Sequence, residues 1–404
     1  MNYESIRIIQ DITTQKSGIE SKYPKNNTRN LQFIDTLFYI FRCANKVVDN
    51  IFPLINSPQV SIVDKNSSYL KEMNPPIENV ISKKIVNHIH QKLMYVIIYT
   101  IPFLDVQDFT IYFYVYDNPT KKELGEYNNR VYIILHIIAF VLLMLRVKKL
   151  GRQRIFFFMT KIKKELPDDN SLLEQYHVNT GYTAPDKGNS DIVIYRKEEW
   201  FKVFIHEFIH NHHLDGGGMN NEFLNITKKI CCINNDILIS ETMSELWALI
   251  LNLMTISYLF KEKGLFQELV MVLPKKITKG NYYNIFWYLL NIEIYFSFLQ
   301  TNKILKYLGI KYIDLFNQTN QTKKKITIHN PNTNVCSYYI IKSIYLYFYF
   351  IAFINMEKTI HHNSINIKNF EKLAKHNHII HLLNEKIPFH INQTSLKMCA
   401  LEIH

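Results

Sequence analysis

The sequence predicts an α+β fold: a mixed sheet that carries one functional helix, followed by a mostly helical C-terminal half. Three observations lead there. Runs of β-branched and aromatic residues, YVIIYTIPF, FTIYFYVYD, RIFFFMT and DIVIYR, all fall before residue 200. Long stretches with apolar residues at helical spacing dominate after residue 235. Between them, KEEWFKVFIHEFIHNHHLDGGG at 197–218 places an apolar helix directly after a strand and stops it with glycines.

In chain order, residues 1–30 read as a mobile leader, because 12–30 are polar and rich in turn formers. Residues 31–218 form the α/β part and 219–404 the mainly helical part that completes the site. A helix is expected at 31–52, a loop broken by four prolines at 53–76, and a helix at 77–94. Strands follow at 95–103 and 109–117, then a loop at 118–129. The apolar run VYIILHIIAFVLLML at 131–145 is shorter than the ~20 residues that span a bilayer, so a core helix is expected and no membrane partner. A strand at 154–160 precedes an irregular stretch at 171–190, the strand at 191–196 and the helix from Glu198 to Leu214. Further helices are expected at 236–260, 285–308 and 335–353, the last with a Tyr and Phe stripe that reads as core.

Composition narrows the function. A hydrophobic content of 47% in 404 residues excludes a mainly disordered chain and is enough for one large core or two modest ones. The net charge of +12 is carried by scattered lysines, with short runs only at 146–149 and 323–325, so no specific nucleic-acid partner is expected. Five cysteines, two of them adjacent, give neither a disulfide framework nor a Cys-x-x-Cys zinc site. Without a secretory signal at the amino terminus, the expected setting is intracellular and reducing. Seven histidines after residue 360 show no metal-ligand spacing on a common element.

The chemistry lies in HEFIH. On a helix, His206 and His210 are one turn apart on one face, so both imidazoles can reach one metal ion. Glu207 is turned by about 100° from His206. It can therefore take a proton from water held by that metal. A catalytic Zn2+ needs a third protein ligand. His212, His213 and Asp215 stand just beyond the helix; Glu241, in SETMSELWALILNLM, stands on a later one. There Glu241 and Glu245 lie one turn apart on a face with Ala248 and Asn252, so Glu241 can bind metal while Glu245 orients a histidine. The metzincin spacing fails, since His213 and Gly216 occupy the places of its glycine and its third ligand.

These residues resemble the gluzincins, zinc peptidases with His-Glu-x-x-His on one helix and Glu-x-x-x-Asp/Glu on a later one. Over about 190–252 the resemblance implies a zincin-like fold, His206, His210 and Glu241 as zinc ligands, Glu207 as general base, and Glu245 behind the ligands. Glu in place of Asp at 245 is a departure. YRKEEWFKVFIHEFIHN, SETMSELWALILN, TNVCSYYIIKSI and SLKMCALE together are similar to an uncharacterised protein family of giant DNA viruses, which implies host cytoplasm or virion as the setting. The expected function is hydrolysis of a polypeptide substrate. The competing expectation is a non-catalytic virion or scaffold protein that keeps the fold. Tyr338, Tyr339 and His329 are the candidate oxyanion donors, and the strand at 191–196 is a candidate edge for an extended substrate.

Overall fold

The computed structural model describes residues 1, 3–15, 28–63, 76–102, 109–145, 152–168, 171–184, 191–215, 237–316, 327, 333–352, 379, 383 and 394–403. In chain order the principal elements are α1 (Tyr3–Gln15), α2 (Thr28–Ile51), β1 (Gln59–Ile62), α3 (Lys83–Lys92), β2 (Tyr95–Ile101) and β3 (Phe109–Val115). There follow α4 (Lys121–Leu145), β4 (Gln153–Phe158), β5 (Gly181–Thr183), β6 (Ile192–Ile194) and α5 (Trp200–Asn211). The last are α6 (Ile239–Lys263), α7 (Tyr282–Tyr307) and α8 (Lys342–Ala352), the last preceded by a π-helical stretch at Cys336–Ile341. The fold is α+β with a mixed sheet, as the sequence predicts.

The chain forms two compact units, one of Leu31–Lys163 with Asn179–Leu214, the other of Met1–Asn30, Lys164–Val178 and Asp215–His404. This differs from the expected division at 30 and 218. Tyr3–Gln15 is a helix and not a leader: Ser5, Ile8, Ile9 and Ile12 are buried at helical spacing.

In the sheet-containing unit the strand order is β1-β2-β3-β4-β6-β5. The β3, β4 and β6 strands run parallel, and β1, β2 and β5 are joined to their neighbours antiparallel. Parallel strands are covered on both faces and read as unbroken apolar runs, which is why FTIYFYV and RIFFF do not alternate. Three aromatic pairs cross from β3 to β4 in register: Tyr112 on Phe156 and Tyr114 on Phe158, both at 4.7 Å, and Phe113 on Phe157 at 4.9 Å. Since successive residues face opposite sides, the stacking holds both faces of the sheet.

Four further expectations need correction. The proline-broken segment contains β1, and the irregular stretch contains β5, both too short to show periodicity. The helix α4 begins at Lys121, within the expected loop, because Thr120 and Glu123 cap each other: the Thr120 backbone N and Oγ1 donate to Glu123 Oε2 at 2.8 and 2.7 Å. Finally, β6 is enclosed between β4 and β5, so among the described residues the sheet edge beside α5 is β5 and not 191–196. Two helices, α4 and α6, are long and apolar enough to cross a membrane by length and composition, but their apolar windows are 61% and 100% buried inside the protein, as core helices are.

The other unit packs α6, α7 and α8 around the chain's last described residues, which carry no sheet of their own. An extended backbone in a core needs donors and acceptors from side chains, and three helices supply them. Glu293 accepts from the backbone N of Ala400 and Leu401 at 2.9 Å, Asn252 donates to the Leu401 carbonyl at 3.1 Å, and Lys342 donates to the Met398 carbonyl at 2.9 Å. Lys303 donates to the Ser395 carbonyl at 2.7 Å, and burial, partly opposed by Glu4, pushes its pKa down to about 7. A lysine whose folded-state pKa is depressed favours the fold above its unfolded value near 10.4 and loses that contribution as pH falls toward 7. We therefore expect the stability of Lys303→Met relative to wild type to rise by a few kcal/mol as denaturant titrations move from about pH 10.5 to about pH 7, and then to level off. A pH-independent difference would mean that Lys303 stays charged.

Candidate functional site

Helix α5 leaves the carboxyl end of β6 and runs back over the sheet. At its start, Trp200 meets Phe157 edge-on at 5.4 Å, and Phe204 follows at 6.1 Å. At its end Asn211 donates to Gln153 Oε1 at 3.4 Å and accepts from Thr183 Oγ1 at 3.3 Å, which ties the last turn to β4 and β5. The helix closes with a Schellman motif: Leu214 N donates to the Ile209 carbonyl, His213 N donates to the His210 carbonyl, and His213 takes the left-handed conformation at φ 53°. The stop is thus made by His213; Gly216–Gly218 lie outside the described residues.

One glycine sets how close this helix comes to the sheet edge. Phe157, Ile194 and Gly181 share a row across β4, β6 and β5 on the face that α5 covers. A Cβ on Gly181 would lie 2.7 Å from Ile194 Cδ1, 2.9 Å from the Val193 carbonyl oxygen and 3.0 Å from Val203 Cγ1 of α5. Val203 stands one turn before His206 and Glu207. Substituting Gly181 therefore has to displace β5, α5 or both.

With its other faces held, α5 turns His206 and His210 to a common side. Their Nε2 atoms are 3.0 Å apart and the rings 4.6 Å apart, with planes inclined at 70°. Two nitrogens bound to one tetrahedral zinc at the usual Zn–N length would be ~3.3 Å apart, so the pair is set for a shared ion within a few tenths of an ångström. His206 is 4% exposed and Glu207 8%, which puts a carboxylate beside the pair inside the protein.

Glu207 also makes itself felt at two phenols that sequence reasoning missed. Burial first, then Asp191, Tyr195 and Glu207, pushes the Tyr182 pKa up. At Tyr195 burial and the Glu207 carboxylate outweigh the opposing pull of Arg196. Both phenols therefore stay protonated at every ordinary pH. The available signal was their place on the strands flanking the helix, but β5 itself was not legible.

Glu241 and Glu245 lie in the first two turns of α6. Glu245 is 2% exposed, Ala248 is fully buried and Asn252 1% exposed; this face is therefore buried and not a solvated acidic surface. A ligand atom from each of His206, His210 and Glu241 lies within 4.8 Å of the other two. Among the described residues this is the one group of three or more His, Cys, Asp or Glu side chains so arranged. His212, His213 and Asp215 do not join it. The His212 ring packs on Phe208 at 4.3 Å, and burial, helped by His213, lowers its pKa to about 4. Of the expected oxyanion donors, Tyr339 commits its hydroxyl to the Leu396 carbonyl, Tyr338 is buried, and His329 lies outside the described residues.

Compared with protein-family models, with curated proteins and with solved structures, the chain matches none.

The Gly181 contacts generate an expectation that does not depend on any metal. Gly181→Ala should lower stability by about 1–3 kcal/mol through overpacking and should reduce any activity carried by α5. Chemical denaturation checks the first part. A variant as stable as wild type would show that β5 can move away from the helix freely.

Proposed function

We propose that the chain is a zinc-dependent metallopeptidase of gluzincin type, with a zincin-like arrangement of sheet edge and active-site helix. The observation that carries this reading is the convergence of His206, His210 and Glu241 around one point, with the buried Glu207 next in sequence to the first histidine. Two imidazoles and one carboxylate form a donor set suited to Zn2+, and three protein ligands leave a position open. When bound there, zinc would polarise a scissile carbonyl and make water a better nucleophile.

The protein's own groups account for the rest. Glu207 is beside the ligands and not among them, so its carboxylate can take a proton from the attacking water and return it to the leaving amine. Glu245, one turn along α6 from Glu241, serves to orient the ligand set. The free edge of β5 offers backbone groups to an extended polypeptide, which would add to the sheet as another strand.

Metal content and cleavage separate the parts of this proposal. Wild type should carry about one zinc per chain by plasma mass spectrometry. His206→Ala and Glu241→Ala should each lose it. Glu207→Gln should keep the metal while peptide hydrolysis falls by at least about a thousandfold. Zinc retained in Glu241→Ala would remove Glu241 from the ligand set. Full activity in Glu207→Gln would remove the proton-transfer role, and stoichiometric zinc with no hydrolysis of any peptide library would leave a scaffold that holds a structural metal.

A further inference from the structure

At the opposite end of α5 from the histidine pair, the sheet gathers cations. Tyr116, Lys161 and Lys197 follow β3, β4 and β6, so they stand at the carboxyl ends of three adjacent parallel strands. In open sheets with parallel strands this is where ligands settle. The three segments are tied edge to edge: Lys161 N donates to the Tyr116 hydroxyl at 2.9 Å, and Lys197 N donates to the Thr160 carbonyl at 2.9 Å. The Lys161 ammonium lies 4.9 Å from the centre of the Tyr116 ring, whose hydroxyl also bonds His88 Nε2 at 2.8 Å.

A buried guanidinium completes the group. Arg130, on α4, is 4% exposed. Its Cζ is 4.4 Å from the centre of the Tyr127 ring and 5.9 Å from that of Trp200, the first residue of α5. Its Nε and Nη1 are buried and meet no hydrogen-bond acceptor among the described residues. Aromatic faces recover about 1–2 kcal/mol of a desolvated cation's stability, whereas burying an unpaired charge costs several. Burial first, then Arg130 and Lys161, lowers the pKa of the half-buried Lys197, against the opposing pull of Glu126 and Glu123. One of those carboxylates is already engaged, since Glu123 Oε2 accepts twice from Thr120. The amino terminus of α5 adds a positive field.

We propose that Arg130, Lys161 and Lys197 form a binding site for a phosphate group at the carboxyl ends of β3, β4 and β6, separate from the HEFIH residues. A dianion can pair with the two lysine ammonium groups while its second charge offsets the buried guanidinium beside Lys197. A carboxylate would neutralise only one charge. Free phosphate and the phosphoryl group of a monoester share this chemistry.

Calorimetric titration of the full-length protein with inorganic phosphate, at constant ionic strength set by chloride, tests the site. Wild type should bind saturably. Lys197→Gln, a half-exposed substitution that circular dichroism can show to be folded, should weaken binding about tenfold, the loss of one charge-assisted contact. Arg130→Lys should weaken it as well. Lys279→Gln, exposed and remote in sequence, should leave it unchanged, and so should His206→Ala. Phenyl phosphate that binds as tightly as inorganic phosphate and competes with it would identify the ligand as a monoester; inorganic phosphate alone would identify the free ion. Absence of saturable binding, equal affinity in Lys197→Gln, or loss of binding in His206→Ala would each overturn the proposal, the last by placing the anion on the metal ligands.

Discussion

Two imidazoles on one helix face a fixed place in the protein only if that helix cannot rotate. A turn of α5 by one residue would move His206 and His210 about 100° around the axis, so everything packed against its other faces is a constraint on the pair. The constraints are of three kinds. Aromatic rings fix the start of the helix, with Trp200 and Phe204 on Phe157. Polar side chains fix its end, with Asn211 between Gln153 and Thr183. A missing side chain, Gly181, fixes its distance from the sheet edge. The left-handed His213 then ends the helix within a turn of His210.

The same economy explains why the strands look as they do. A sheet that must support a polar-bearing helix gains most from neighbours that cannot shift, and stacked rings in register resist sliding. The pairs from β3 to β4 do this on both faces, and Phe157 belongs both to a pair and to the bed of α5. The buried ion pair of Arg154 with Asp191, at 2.8 Å, ties β4 to the entrance of β6. A helix held in this way keeps His206 and Glu207 buried, with His210 partly exposed beside them.

The sequence made the strong elements legible and left the weak ones hidden. The long apolar strands and helices were readable because periodicity over seven or more residues outweighs local noise, and HEFIH was readable because its residues are adjacent. The strand β5 has three residues, including a glycine, and β1 has four; neither is long enough to show alternation. Tyr182 therefore stayed invisible beside Glu207. Helix α1 was misread for a different reason: its burial pattern at Ser5, Ile8, Ile9 and Ile12 was present in the sequence, but the polar stretch after it coloured the whole segment. Glu241 could be chosen only through helical spacing and a resemblance, since 31 residues separate it from His210 in the chain and no local pattern links them. The core of the other unit was hidden altogether, because Glu293, Asn252, Lys303 and Lys342 each hold backbone far away in sequence.

Charge shows most clearly what folding adds to a sequence. The excess of +12 looked diffuse because it was judged along the chain. Arg130, Lys161 and Lys197 are 31 and 36 residues apart and form no run, yet the parallel strands bring Lys161 and Lys197 to the same end of the sheet, and α4 sets Arg130 by Trp200 there. A short run of lysines on a surface is well solvated and has little need of a ligand. A guanidinium at 4% exposure beside two rings is not, and the nearby Lys197 raises the cost of leaving it unneutralised. The electrostatic demand for an anion therefore comes from burial and convergence, which the strand order creates. The same strand order places this demand at the amino terminus of α5 and the two histidines near its carboxyl end, ~9–15 Å along the axis. One helix can thus carry a histidine pair toward one end and a positive terminus at the other, well separated along its axis.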